Sequence, residues 1–371
     1  MKILLISNYI LDKQESMLRF TDILQKEFKK KGHRVRVIRP KPVFGKFFKE
    51  NWRGAEKWFA YIDKFLIFPA EIKKAKKWAD VVHIIDHGNS YYVRSLRHVP
   101  CVVTCCDLLA VRSALGEFRQ NPVKWTGRIF QKIILSSIIK ADFIACISKN
   151  TKQDLLRLSK VYPQNADVVY MGQNYGYKPM EKKKSLEYLK KLSINSKYFF
   201  HISNSNWYKN RIGLLKIFND LAKKKKNINL VMAGFSLGND LQQYIKQNNL
   251  DRKIIFLGNV SNEELRALYS SAVALIYPSL QEGFGWPVAE AQACGCPVFT
   301  SNRAPMTEVG GDAAVYFDPE NPRRAAEIIA RNMNNRKKMK QLGLKNAKRF
   351  STDKMVRKYI EIYKEIKNEN P

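Results

Sequence analysis

Short apolar runs alternate with stretches of helical spacing along most of the chain. KILLIS (2–7) has no polar interruption until its end, the pattern of a parallel strand buried on both faces. Residues 15–30 follow with Met17, Phe20, Ile23, Leu24 and Phe28 at helical spacing; Gly32 stops that helix, and RVRVI (34–38) is the next strand. The same reading predicts strands at 81–85 (VVHII), 101–105 (CVVTC) and 143–147 (FIACI), with helical patterns between them. MGQNYGYKPMEKK, around 170–182, carries turn residues and no apolar period and reads as a linker. The alternation restarts with YFFHIS (198–203), a helix from about 210, INLVMAG (228–234), a helix near 239–247 and KIIFLG (253–258). A helix at 261–270, AVALIY (273–278) and PVFTS (297–301) complete it. Three amphipathic patterns close the chain, at about 320–333, 335–348 and 353–367.

This order predicts the α/β class with two Rossmann-like, doubly wound domains, 1–175 and 176–350. Residues 351–371 form a C-terminal helix expected to pack back on the first domain. Such sheets bind ligands beyond the carboxyl ends of their strands, so a cleft between the domains is the expected active site.

Charge adds a question that periodicity does not raise. The 371 residues carry 66 Lys+Arg against 33 Asp+Glu, a formal excess of +33 that calls for a polyanionic partner or surface. A nucleic-acid role has no recognisable module behind it: no RNP-type strand, no zinc-finger spacing and no obvious recognition helix. Between Lys26 and Lys77 there are 17 Lys/Arg and 5 Asp/Glu. Phe44, Phe47, Phe48, Trp52, Trp58, Phe59, Tyr61, Phe65, Phe68 and Trp78 lie among or beside them, a mixture that suits an anionic membrane surface. The competing reading is an aromatic core with a solvated basic face. The six cysteines, Cys101, Cys105, Cys106, Cys146, Cys294 and Cys296, sit in apolar or Gly-rich surroundings, as buried thiols do in a reducing compartment. MKILLISNYI shows no leader-type cleavage pattern, and no apolar run approaches a membrane span. A cytoplasmic protein, peripheral on the inner face of the cytoplasmic membrane, is expected.

The sharpest chemical signal is E-G-F-G-x-P-x-x-E-A-x-A-C-G-x-P-V, beginning at Glu282. A strand ends near Tyr277, Gly283 and Gly285 let the backbone turn and approach a ligand, and Pro287 falls in the first turn of a helix ending at Gly295. The helix start offers unpaired N–H groups to a phosphate. Glu282 and Glu290, about two helical turns apart, suit the hydroxyls of a sugar or ribose.

With this motif the chain resembles the family 4 glycosyltransferases, retaining enzymes of GT-B fold with an E-x7-E motif. EELRALYSSAVALIYPS, SNRAPMTEVGGDAAVYFDPEN and ADFIACISKNTKQDL (141–155) extend the resemblance. It implies a hexosyltransferase that moves sugar from a nucleotide-sugar donor, a UDP-sugar before GDP-mannose, to a hydroxyl of a lipid-linked or lipopolysaccharide-type glycan. The resemblance, to cell-envelope glycan glycosyltransferases, further implies that no metal or other cofactor is needed. Glu282 then holds the donor sugar's hydroxyls with the N–H groups of Phe284 and Gly285, Glu290 holds the ribose, and Val260 borders the base. Lys209 matches the family lysine that meets the diphosphate. The family arginine position falls on Ser203 or Asn204, and Arg211 either supplies that charge or is a surface cation. In the first domain a usual Gly-Gly pair is replaced by Asp12–Met17, where Ser16 is expected to cap the helix, and a usual His-Asp pair is Cys106-Asp107. Either Asp107 takes the catalytic role there or that contact is lost, and His87 is a candidate acceptor or sugar contact. A metal at His83-x-x-Asp86-His87 is discounted, because strand alternation splits those ligands between faces. These departures leave open a degenerate sugar-binding subunit or a GT-B phosphorylase.

Overall fold

A computed structural model describes residues 1–44, 56–224, 227–234 and 236–369, and the side chains from 59 onward in the second stretch. Phe47, Phe48, Trp52 and the Trp58 side chain lie outside the described residues. The chain forms two compact units, one of Met1–Asn174 with Thr352–Pro371 and one of Tyr175–Ser351.

Unit 1 is a six-stranded parallel sheet ordered β2-β1-β3-β4-β5-β6. Its strands are β1 (Lys2–Ile6), β2 (Arg34–Ile38), β3 (Val81–Ile84), β4 (Cys101–Cys105), β5 (Phe143–Cys146) and β6 (Ala166–Val168). Leu4, Ile6, Val82, Ile84, Val103 and Ile144 share one buried core with Phe68, Ile72 and Leu155 from flanking helices. The helix Thr352–Glu369 belongs to this unit and is pinned by buried polar groups. His83 Nδ1 lies 2.6 Å from the Tyr363 hydroxyl and Nε2 2.7 Å from Thr104 Oγ1, which also meets Tyr359 OH at 2.8 Å. Burial pushes the His83 imidazole down to about 3, so it is neutral here.

Unit 2 repeats the plan with β7 (Tyr198–Ser203), β8 (Asn229–Gly234), β9 (Ile254–Leu257), β10 (Ala274–Tyr277), β11 (Val298–Ser301) and β12 (Ala314–Phe317). All pair in parallel, in the order β12-β11-β10-β7-β8-β9. Strand order reverses between β1 and β3 in unit 1 and between β7 and β10 in unit 2. Loops leave such strands in opposite directions and open a crevice at their carboxyl ends. Each unit therefore has one place where topology alone prepares a ligand site.

Every strand that the apolar runs predict is present to within one residue at either end. The short edge strands β6 and β12 escape that reading, because ADV is only three residues long and AVYF is half-buried. The region read as a linker stays irregular to Glu181 but buries Met171, Tyr177 and Met180, and a helix, Lys182–Lys191, follows it. Ser16 does not cap: the helix runs Glu15–Lys30 from Gln14, and Ser16 lies exposed in its first turn. Within the basic-aromatic stretch the described aromatics differ in burial. Phe68 is buried and Trp78 half-buried under the Arg36 guanidinium, while Phe44 and Tyr61 are exposed.

Candidate active site

At the unit 2 switch point, β7 leads through a short turn, Trp207–Lys209, into the helix Arg211–Lys224. Asn210 reverses the chain between them with φ of 51°. Its side chain caps Gly213 and donates to the carbonyls of Pro278 and Pro319. The loop after β10 is stitched to the same turn by Leu280 N–H, which donates to the Tyr208 carbonyl, and Ser279 Oγ stands 3.0 Å from that same carbonyl. These bonds bring together Lys209 and Glu282, 73 residues apart. Glu282 Oε1 accepts from Lys209 Nζ at 2.6 Å, Tyr277 OH at 2.7 Å and Ser279 Oγ at 2.7 Å. Lys209 Nζ lies 3.2 Å from the Tyr277 hydroxyl and beside the Tyr208 ring.

Both members of this ion pair are largely withdrawn from water, with side-chain exposures of 12% and 9%. A buried pair is modest evidence for stability, but removing one partner strands the other. Chemically it offers a cation and a carboxylate within reach of one ligand: ammonium for phosphate oxygens, carboxylate for sugar hydroxyls. Burial, with the Glu282 charge, holds the Tyr277 phenol well above its usual range, so it serves as a hydrogen donor.

The helix Trp286–Ala293 begins beside this pair, with Pro287 in its first turn. Its N-cap, Gly285, has φ of 91°, a left-handed backbone that favours glycine, and a Cβ there would also displace the tip of the Met306 side chain. Gly283 and Phe284 are buried in the loop, Phe284 edge-on to Phe350. Glu290 is buried and accepts from Tyr269 OH at 3.0 Å.

The remaining unit 2 candidates are placed differently from that central pair. Arg211 is buried at the start of its helix and donates to the Ser236 carbonyl at 3.1 Å. Asn204 is half-buried, its side chain accepting from Asn206 N–H. Val260 is half-buried in the loop before the capping box of helix Asn262–Ser271. Tyr277, Ser279, Tyr269 and His201 went unassigned in the sequence. His201 bridges the Ile276 carbonyl and Ser203 Oγ and stacks on Tyr277. Burial pushes it down to about 4, against the pull of the Ile276 bond. The one available signal was Tyr277 itself, a hydroxyl on the last residue of a strand entering the motif.

At the unit 1 switch point a cavity of about 550 Å³ is lined by Ser16, His87, Cys106 and Asp107 together with Asn8, Lys64, Asp86, Asn89, Tyr91 and Gln131, among others. The segments after β1 and β3 meet here through Asn8 Nδ2, which donates to Asp86 Oδ2 at 2.6 Å. Asp86 Oδ1 accepts from Gly88 N–H at 2.9 Å, and Asp107 Oδ1 from Leu109 N–H at 3.0 Å. Cys106 Sγ lies 3.3 Å from Met17 Sδ, and burial keeps the thiol well above its usual range. Burial opposes protonation of His87, but the Asp86 carboxylate outweighs it and the imidazole is raised overall. Of eight buried side-chain atoms without a hydrogen-bond partner among the described residues, four line this cavity: Asn8 Oδ1, His87 Nδ1, Asn89 Nδ2 and Gln131 Oε1. Unmet donors and acceptors of this kind call for a polar ligand.

Two doubly wound units, each with polar side chains at its switch point, define the GT-B architecture. A crystal structure of Anabaena HepE in complex with UDP and glucose shares that fold, with a TM-score of 0.73 over 98% of this chain and 99% of that one at 17% identity. The family description "Glycosyltransferase Family 4" matches residues 19–174, and "Glycosyl transferases group 1" matches residues 185–350. The chain belongs to the family 4 glycosyltransferases. It is 28% identical over 300 residues to the O-antigen chain mannosyltransferase B of Escherichia coli, covering 78% of this chain and 77% of that one. It is also 28% identical over 208 residues to the O-antigen chain mannosyltransferase RfbU of Salmonella typhimurium, covering 54% and 55%.

Proposed function

We propose that this glycosyltransferase moves a hexosyl residue, with retention of configuration, from a nucleotide sugar to a hydroxyl of a lipopolysaccharide-type glycan. The observation that carries the reading is the Lys209–Glu282 pair, buried beside a glycine-initiated helix at the unit 2 switch point. In the ligand-free protein the two groups neutralise one another. A donor would exchange Lys209 onto its diphosphate and leave Glu282, steadied by Tyr277 and Ser279, to accept from the sugar hydroxyls. Arg211 and the N–H groups at the start of helix Trp286–Ala293 add positive potential for the leaving diphosphate, and Glu290 takes the ribose. The leaving phosphate oxygen accepts the acceptor's hydroxyl proton on the same face, and the protein supplies position and charge.

The names of the two O-antigen relatives favour nucleotide-activated mannose over the UDP-sugar that family frequency suggested. Incubation with UDP-, GDP- and ADP-sugars, read by thermal shift and by nucleoside diphosphate release, tests this. Release from a mannosyl donor in the presence of glycan is expected. Binding without release would assign a sugar-binding subunit instead.

The acceptor is proposed to be lipid-linked and met at an anionic membrane. No helix among the described residues is long and apolar enough to cross a membrane. The helix Trp125–Ile138 supports surface contact: Trp125, Ile129 and Ile133, one turn apart, are 72%, 49% and 37% exposed. Lys124, Arg128 and Lys132 follow the adjacent stripe, and the helix has no acidic residue. Its other side places Phe130, Gln131 and Ile134 on the unit 1 cavity, which fits a lipid-borne glycan. Sedimentation with anionic but not neutral vesicles is expected, and to weaken in Trp125→Ser/Ile129→Ser; equal binding to both vesicles defeats the claim.

A further inference from the structure

Three side chains of the unit 1 cavity have a relationship that sugar binding does not require. The ligating atoms of Asp86, His87 and Cys106 all lie within 4.8 Å of one another, and all three residues are buried. His87 Nδ1 stands 3.3 Å from Asp86 Oδ1 and has no other polar partner among the described residues, so the ring nitrogen and the carboxylate face one another at the centre of the group. Thiolate, imidazole and carboxylate are the donor set of borderline divalent ions, and bonds of about 2.0–2.3 Å place tetrahedral ligands roughly 3.3–3.8 Å apart.

The surroundings suit an ion as well. Asp86 is oriented by Asn8 Nδ2 on one oxygen and Gly88 N–H on the other, the outer hydrogen bonds that hold a ligating carboxylate in place. Met17 Sδ, 3.3 Å from Cys106 Sγ, adds a soft, polarisable neighbour. The cavity supplies an entry path and room for a fourth ligand.

We propose that Asp86, His87 and Cys106 bind one zinc-class divalent ion, with the fourth position open to the cavity. Cys106 releases its thiol proton to solvent as the sulfur–metal bond forms. The set differs from His83-x-x-Asp86-His87: His83 is spent on Tyr363 and Thr104, and Cys106, from the next strand's end, stands beside Asp86 and His87 instead. What the ion does to sugar transfer rests on the function proposed above; binding read without any sugar keeps the two claims separate.

The full-length protein is titrated with Zn²⁺ against a chelating indicator, then with Co²⁺ followed by its optical spectrum. One equivalent of Zn²⁺ and a thiolate-to-cobalt charge-transfer band are expected from the unaltered protein. Cys106→Ser should abolish the band, and His87→Gln should weaken affinity at least about tenfold. Cys294→Ser, in unit 2, should leave both unchanged. Absence of the band in the wild-type protein, or its persistence in Cys106→Ser, overturns the site.

Discussion

At the unit 2 switch point Glu282 Oε1 already accepts from Lys209, Tyr277 and Ser279, whereas at the unit 1 switch point four buried polar atoms lack partners. The same topology has thus produced two kinds of readiness. A site that must meet a diphosphate has to store a cation, and a buried cation needs a counter-charge until its ligand arrives. A site that meets hydroxyls needs donors and acceptors facing open space, and the unit 1 cavity keeps these beside its own Lys64–Asp12 and His87–Asp86 pairs. The closed pair and the open cavity therefore point to different ligands.

The largest test removes the stored cation. Lys209→Ala should lower turnover by about 10²–10³-fold, the scale of losing one group that stabilises developing charge. Tyr277 and Ser279 still donate to Glu282, so circular dichroism should report an intact fold. Near-normal nucleoside diphosphate release in that variant removes Lys209 from the mechanism and collapses the contrast.

Backbone at the two units differs in the same sense. Gly285→Ala meets a positive φ and must also displace the tip of the Met306 side chain, and should destabilise by about 2 kcal/mol. Gly116→Ala, in unit 1, has a similar φ of 87° but nothing within 4 Å, and should cost about 1 kcal/mol. Chemical denaturation of the two variants gives the comparison directly; equal losses would show that Met306 yields.

Acid should weaken both units. His83 and His201 are held neutral by burial, at about 3 and about 4, whereas each would titrate near 6.5 in the unfolded chain. Below about pH 6.5 the unfolded state binds the extra protons, so their contribution is full at neutral pH and is lost as pH falls toward those lower values. The slope is about 1.4 kcal/mol per pH unit for each histidine. Thermal melts from pH 7 to 4 should show it, and His83→Gln should flatten it relative to wild type; an unchanged slope means His83 does not titrate on unfolding.

The smallest effect sharpens the open site. Asn89→Ala deletes one unpartnered donor and should raise the acceptor KM several-fold, about 1 kcal/mol, with donor KM unmoved. A shift in donor KM instead would reassign the cavity.

Much of this was legible in the chain. The apolar runs marked ten of the twelve strands, because strands covered on both faces must be apolar throughout. Glu282, Glu290 and the glycine loop were visible as one motif, and Lys209 lay at a predicted strand-to-helix turn. The edge strands β6 and β12 were not visible, since half-exposed strands of three or four residues leave no distinctive run. Ser16 misled because capping depends on where the first helical turn begins, and Gln14 occupies that place.

By itself the sequence determined which segments would be strands and helices and which residue types the motif loop would present, because periodicity and glycine content are local. Tertiary structure alone decided that Lys209 and Glu282 share one buried oxygen contact, and that Asn8, His87, Asn89, Cys106 and Gln131 surround one space. Those residues come from segments far apart in the chain, and only the reversal of strand order at each sheet's centre brings their loops together.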